Sequence, residues 1–396
     1  MSDPDSPEDF NPFKGMPIFG DLGKLFSQQA STTWETARQF AVAVATEGQS
    51  EPNVDPSDRI ALGELGRVAE LQVANATGLS TTRDSQAATI VPVTRTQWAT
   101  ATLEAYQHLL EPIGDVSGRV EAEEASFDPA QAMFGQIMKM IGPVMLSMTA
   151  GSMVGNLARR SLGQYDLPIP RHGSKLMVVP ANIDSLAEEW SLDASDLRLW
   201  VCLSELTHHA VLSIPHVSRR LDELLADYVR GFEADPAALE SRLSELDLGN
   251  PDSMGDLQSV LGNPEIILGA IQSPAQRVLL PQITALVTVI AGYVDWTMDS
   301  IGHGLIGSYQ RLSEALRRRR VTADQADRFI ERMFGLELTQ DQYDRGSAFA
   351  SGVMERAGTD GLARLWHSER ELPTPAEVDA PGLWLARIDL PDQTDL

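Results

Sequence analysis

Three observations predict a mainly helical domain with a minor sheet. Apolar residues recur at helical spacing through much of the 396-residue chain. Only two short runs, Ala88 to Val93 and Leu176 to Val179, have the β-branched, turn-bounded character of strands. A hydrophobic content of 43% is ample for one large core. The domain is expected to span 32–378, between an extended N-terminal arm at 1–31 and a C-terminal strap at 379–396.

The arm is rich in Pro, Asp and Gly, with Asn11-Pro12-Phe13 and Pro17-Ile18-Phe19-Gly20 able to lie against the body. Trp34, Ala37, Phe40, Ala41 and Val44 then mark a helix over Thr33 to Ala45, and a second amphipathic helix is expected over Asp55 to Leu79. After the first strand, Trp98, Leu103, Tyr106 and Leu110 line one side of a helix from Thr96 to Leu110. Gly163-Gln164-Tyr165-Asp166-Leu167-Pro168 is turn and loop, and the second strand ends at Pro180. Asp193-Ala194-Ser195-Asp196 offers a capped helix start, and that helix runs through Trp200 and His208 until Pro215 stops it. Downstream, helices are expected over Val217 to Glu233, Pro236 to Ser244, Gln276 to Ile301, Tyr309 to Arg319, Thr322 to Met333 and Asp341 to Ala357. Pro373, Pro375, Pro381 and Pro391 suggest that the tail is extended.

Charge narrows the partners. A formal net charge of −25 repels phosphate backbones and anionic headgroups, so neither nucleic acid nor a membrane surface is expected to bind. Cys202 is the single cysteine, which rules out an intramolecular disulfide, and the first ten residues hold four acids and no base, the reverse of a secretory leader. The expected location is the cytoplasm. Met140 to Leu157 is uncharged and holds the Gly151-Ser152-Met153-Val154-Gly155 spacing of a membrane helix pair, yet Gly142, Pro143, Ser147, Thr149 and Ser152 fit a buried, bent helix better.

Chemistry is concentrated on the helix that Pro215 ends. Two histidines four residues apart with a glutamate between them can bind zinc and activate its water. In Ser204-Glu205-Leu206-Thr207-His208 the glutamate and the second histidine stand where a general base and a ligand would. Trp200 and Trp296 could line a cleft, although core packing accounts for both, and Arg317 to Arg320 reads as a solvated helix C-terminus in an otherwise acidic chain.

The text around this helix is distinctive: Gln164 to Pro168, Asn182-Ile183, and Leu197-Arg198-Leu199-Trp200-Val201, then Gly292-Tyr293-Val294-Asp295, Gly335-Leu336-Glu337-Leu338 with Gln342-Tyr343, and Leu372-Pro373-Thr374. Asn11-Pro12-Phe13 and Gly20-Asp21-Leu22 belong to the same set. In these stretches the chain resembles, over nearly its whole length, a bacterial family of zincin-like metallopeptidases.

The resemblance implies a zincin-like fold and zinc as cofactor, with Glu205 as general base and His208 as a metal ligand. It also shows two departures. The family's first histidine corresponds to Ser204, and the glutamate that would be its third ligand corresponds to Ala291. One imidazole cannot hold a catalytic zinc, so the expected protein is catalytically impaired and keeps its cleft for a peptide or protein, or as a scaffold. The alternative is an active hydrolase with altered ligands. Asp295, one turn beyond Ala291, is the possible substitute, and His209, His216 and His303 are the nearest further histidines. His209 is turned about 100° from His208 around the helix. A Ser204 nucleophile paired with His208 lacks the glycine-flanked elbow of serine hydrolases.

Overall fold

The computed structural model describes residues 31–83, 85–123, 147–232, 273–322 and 325–391. The arm at 1–30 and the helix expected over Pro236 to Ser244 lie outside the described residues. The chain is mainly helical, as its periodicity predicts: α1 (Ser31–Ala45), α2 (Pro56–Thr77) and α3 (Arg95–Glu123) lead to α4 (residues 147–160), followed by α5 (Pro180–Glu189), α6 (Ala194–Leu212) and α7 (Pro215–Arg230). The rest is α8 (Pro274–Leu305), α9 (Tyr309–Val321), α10 (Gln325–Met333), α11 (Gln340–Ala363) and α12 (Pro381–Ile388).

The strands are β1 (Thr82–Arg83) and β2 (Gln86–Ala87), a small antiparallel pair, and β3 (Thr89–Pro92) and β4 (Lys175–Val178), which pair in parallel with Ile90 opposite Leu176. Leu176 and Val178 are fully buried, so the pair sits in the core. Its importance is positional. Val179 N–H donates to Leu162 O at 2.9 Å and Gly163 bridges to Val178, which fixes the 162–168 loop beside the sheet. Asn182 secures the same region from α5: its amide donates to Ala158 O and Ser161 O, and its carbonyl accepts from Arg95 Nε at 2.7 Å.

Small residues set the close helix contacts. A Cβ at Gly151 would lie 2.4 Å from Ala37 O, and one at Gly155 would lie 2.6 Å from Val44 Cβ. The spacing that suggested a membrane helix pair therefore seats α4 on the alanine-lined face of α1, where Ala37 and Ala41 are fully buried. The remainder of that apolar run, 140–146, lies outside the described residues. Gly292 of α8 meets Gly346 of α11 in the same way, with 2.1 Å between the position of an added Cβ and Gly346 O.

α8 begins in a capping box formed by Ser273 and Gln276, whose side chain also donates to Tyr228 O of α7. It is long and apolar enough to cross a membrane by length and composition, and it packs as a central helix against α6, α7 and α11. α6 is N-capped by Asp193, and Asp196 in its first turn accepts from Ser308 N–H ahead of α9.

The C-terminus differs from the extended strap expected. Pro381 begins α12, which lays Trp384, fully buried, edge-on to Phe349 of α11, while its indole N–H donates to Glu371 O. Proline is compatible with the first turn of a helix, so proline density alone did not exclude one.

Candidate functional site

Ser204, Glu205, His208 and Ala291, which lie on two helices far apart in sequence, line one cavity of about 130 Å³. α6 supplies the first three, together with Trp200 and Val201. α8 supplies Val287, Ile290, Ala291 and Val294, the 162–168 loop forms one rim, and Arg319, Arg320, Leu336 and Tyr343 close the other side.

Glu205 is almost fully buried, and its carboxylate accepts the backbone N–H groups of Gln164 at 2.8 Å and Tyr165 at 3.1 Å. Gly163 makes this possible, because a Cβ there would fall 2.2 Å from Glu205 Oε1. The loop is held from outside by Trp98, whose Nε1–H donates to Gly163 O at 2.9 Å. Burial, reinforced by the nearby Asp166 charge, pushes the Glu205 carboxyl up to about 8, and the two amides oppose that shift.

His208 is half-buried. Its Nδ1 lies 2.9 Å from Ser204 O. A carbonyl can only accept, so the proton is assigned to Nδ1 and the lone pair to Nε2. Burial pulls the imidazole down to about 4, against the hydrogen bond to Ser204, and the Arg320 charge lowers it further. The Tyr165 ring stacks over it with planes 19° apart and centroids separated by 6.0 Å. Ser204 Oγ is 3.5 Å from the Nδ1 already committed to the carbonyl, too long a contact to activate a nucleophile.

The remaining sequence candidates lie elsewhere. His209 is fully buried on another face of α6, beside the Tyr165 and Ser213 hydroxyls at 3.2 Å, and burial lowers it to about 4. Neither His216 nor His303 lines the cavity; His303 packs on Tyr309. Asp295, the possible substitute ligand, is taken by Arg320: Nη1 and Nη2 each lie 2.9 Å from one of its carboxylate oxygens. The Arg320 guanidinium also lies over the Tyr343 ring, 5.3 Å from its centroid.

The expected solvated end of α9 is thus corrected in part. Arg317 and Arg318 are exposed and pair with Asp299 and Glu314, but Arg319 reaches Arg160 O and Arg320 turns into the cavity. Helical phase separates them, since 319 and 320 continue the face of Leu312 and Leu316, which are buried. That phase was the one available signal.

Comparison with known proteins gives two findings. A sequence family described as zincin-like metallopeptidase matches residues 33–385. A solved structure from Chloroflexus aurantiacus, described as a "putative hydrolase with a novel fold", superposes with a TM-score of 0.62 at 24% identity, covering 91% of this chain and 99% of that one. No curated protein matches.

The family implies zinc. A catalytic zinc takes three protein ligands plus water. Among the described residues no three His, Cys, Asp or Glu side chains come together to hold a metal. Of the cavity's own donors, Glu205 is tied to two amides, Asp166 accepts the N–H groups of Leu162 and Gly163, and Glu331 lies 3.6 Å from Arg160. These residues do not fit the ion.

Proposed function

This chain belongs to the zincin-like metallopeptidase family, and we propose that it is a member that has set aside metal-dependent hydrolysis and uses its cavity to bind a peptide or protein. The observation that carries this reading is the engagement of Glu205. The carboxylate that would activate a metal-bound water accepts two loop amides, and among the described residues His208 is the single imidazole lining the cavity. Its neighbour Ser204 offers a hydroxyl, and Ala291 offers no donor. The cavity mixes apolar side chains, such as Trp200, Ile290 and Leu336, with polar and charged ones, such as Ser204, His208 and Arg320, so it offers both contact surface and hydrogen-bonding groups to a bound partner. The acidic surface, with its charge of −25, favours such a partner over nucleic acid or an anionic membrane, and a cytoplasmic location goes with this reading.

The test is metal content by elemental analysis of protein grown in zinc-rich medium, alongside peptide cleavage by the parent and by Glu205→Gln. Substoichiometric zinc and no Glu205-dependent cleavage are expected. Near-stoichiometric zinc with cleavage abolished in Glu205→Gln would instead establish the rival reading, an active hydrolase with altered ligands. A Ser204→His, Ala291→Glu double variant, which returns the family's ligands to two positions on the same cavity, is expected to gain zinc.

A further inference from the structure

We propose that the cavity is a receptor for a carboxylate carried on a short apolar stem, with the Arg320 guanidinium as its anchor. The inference deepens the binding reading above and rests on it.

The argument begins with charge placed against the trend of the molecule. In a chain with 31 basic and 56 acidic residues, three arginines, Arg160, Arg319 and Arg320, line one cavity of about 130 Å³. The acids beside them are already engaged: Asp166 by two loop amides and by Arg319 at 3.9 Å, Glu331 by Arg160, and Glu205 by Gln164 and Tyr165, which leaves Arg320 as the cation whose partner lies outside the lining. Burial also favours the neutral form of Glu205 below about pH 8. Asp295 meets Arg320 from outside the cavity lining and occupies one edge of its fork. A guanidinium carries five N–H donors in a rigid plane, so an edge held by one carboxylate leaves donors for a second.

Arg320 is also immobilised. Asp295 of α8 fixes its edge and Tyr343 of α11 covers its face, so little side-chain freedom is left to lose on binding. Trp200, Ile290, Val294 and Leu336 add apolar surface to the same lining. A space this small takes a carboxylate and a few attached carbons. That description fits a small aliphatic acid as well as the C-terminal residue of a peptide.

Calorimetric titration of the full chain separates the sources. Isobutyrate is compared with isobutyramide, and Gly-Gly-Leu with its C-terminal amide. Each carboxylate that binds is expected to do so at least tenfold more tightly than its amide. Saturation by isobutyrate alone assigns the site to free acids, and saturation by the peptide as well assigns it to a chain terminus. Arg320→Leu is expected to abolish the preference, and Arg320→Lys, which keeps the charge and the fold but loses the fork, to weaken carboxylate binding at least tenfold. Circular dichroism establishes that each variant is folded. Equal affinity for acid and amide, no saturation by either, or an unaffected Arg320→Lys overturns the proposal. Zinc content and Glu205-dependent cleavage decide the parent reading independently, so the two fail on different measurements.

Discussion

The two walls of the cavity are built on opposite electrostatic plans. The α6 wall carries the residues that mark the family, and burial drives each toward its neutral form, Glu205 up to about 8 and His208 down to about 4. The facing wall, from α8, α9 and α11, carries Ala291 and the Gly292-to-Asp295 and Gln342-Tyr343 stretches, yet it keeps full charges: Arg320 is pinned between Asp295 and Tyr343, and Arg319 lies alongside. A buried carboxyl or imidazole can shed its charge by titrating, whereas a guanidinium cannot and must be paired. The would-be base and ligand, Glu205 and His208, therefore occupy the neutral wall, and the charge able to select a ligand occupies the other.

The largest effect is expected from breaking the charged wall. Arg320→Leu leaves Asp295 buried without its cation, which costs about 3–5 kcal/mol in unfolding free energy by chemical denaturation. An Arg320→Leu, Asp295→Leu double variant should recover much of that loss, because removing both partners avoids the orphaned charge.

On the neutral wall the largest effect comes from Gly163→Ala. The new Cβ overlaps Glu205 Oε1, so the loop must move, at about 1–3 kcal/mol of overpacking strain. Loss of the two amide bonds to Glu205 should accompany it.

The smallest effect is a pH dependence that separates the walls. Between pH 4 and 6.5 the unfolded chain binds protons at two imidazoles, His208 and His209, that the folded chain refuses, so their contribution is lost as pH falls. Above the ordinary carboxyl value of 4.5 the folded chain keeps a proton on Glu205 that the unfolded chain has released, so stability declines as pH rises toward about 8. Together these three groups place a maximum near pH 6.5, with slopes of about 1.4 kcal/mol per pH unit on either side. Denaturation midpoints across pH 4–9 check this, and Glu205→Gln should flatten the alkaline limb and steepen the acid limb to about 2.7 kcal/mol per pH unit.

How much of this was legible in the sequence follows the same division. Helices such as α2 and α6 were readable from apolar spacing, and α6 also from its cap at Asp193, because those signals are local. The parallel pairing of β3 with β4 was not, since nothing in either four-residue run names a partner more than eighty residues away. Resemblance marked Ser204, Glu205, His208 and Ala291, and all four reach one cavity. Arg320 was passed over because a basic run at a helix end is ordinarily solvated, and its destination depended on the approach of α8 and α11 through Gly292 and Gly346. Asp295 was read as a spare ligand for the same reason, since its cation lies 25 positions away.

The Glu205 hydrogen bonds also act as a reporter. The amide protons of Gln164 and Tyr165 are held by a side chain rather than by a helix or ladder, so deuterium reaches them when Glu205 lets go, without any element unwinding. Their protection factors, read against those of the surrounding helices, would give the free energy of opening of the loop.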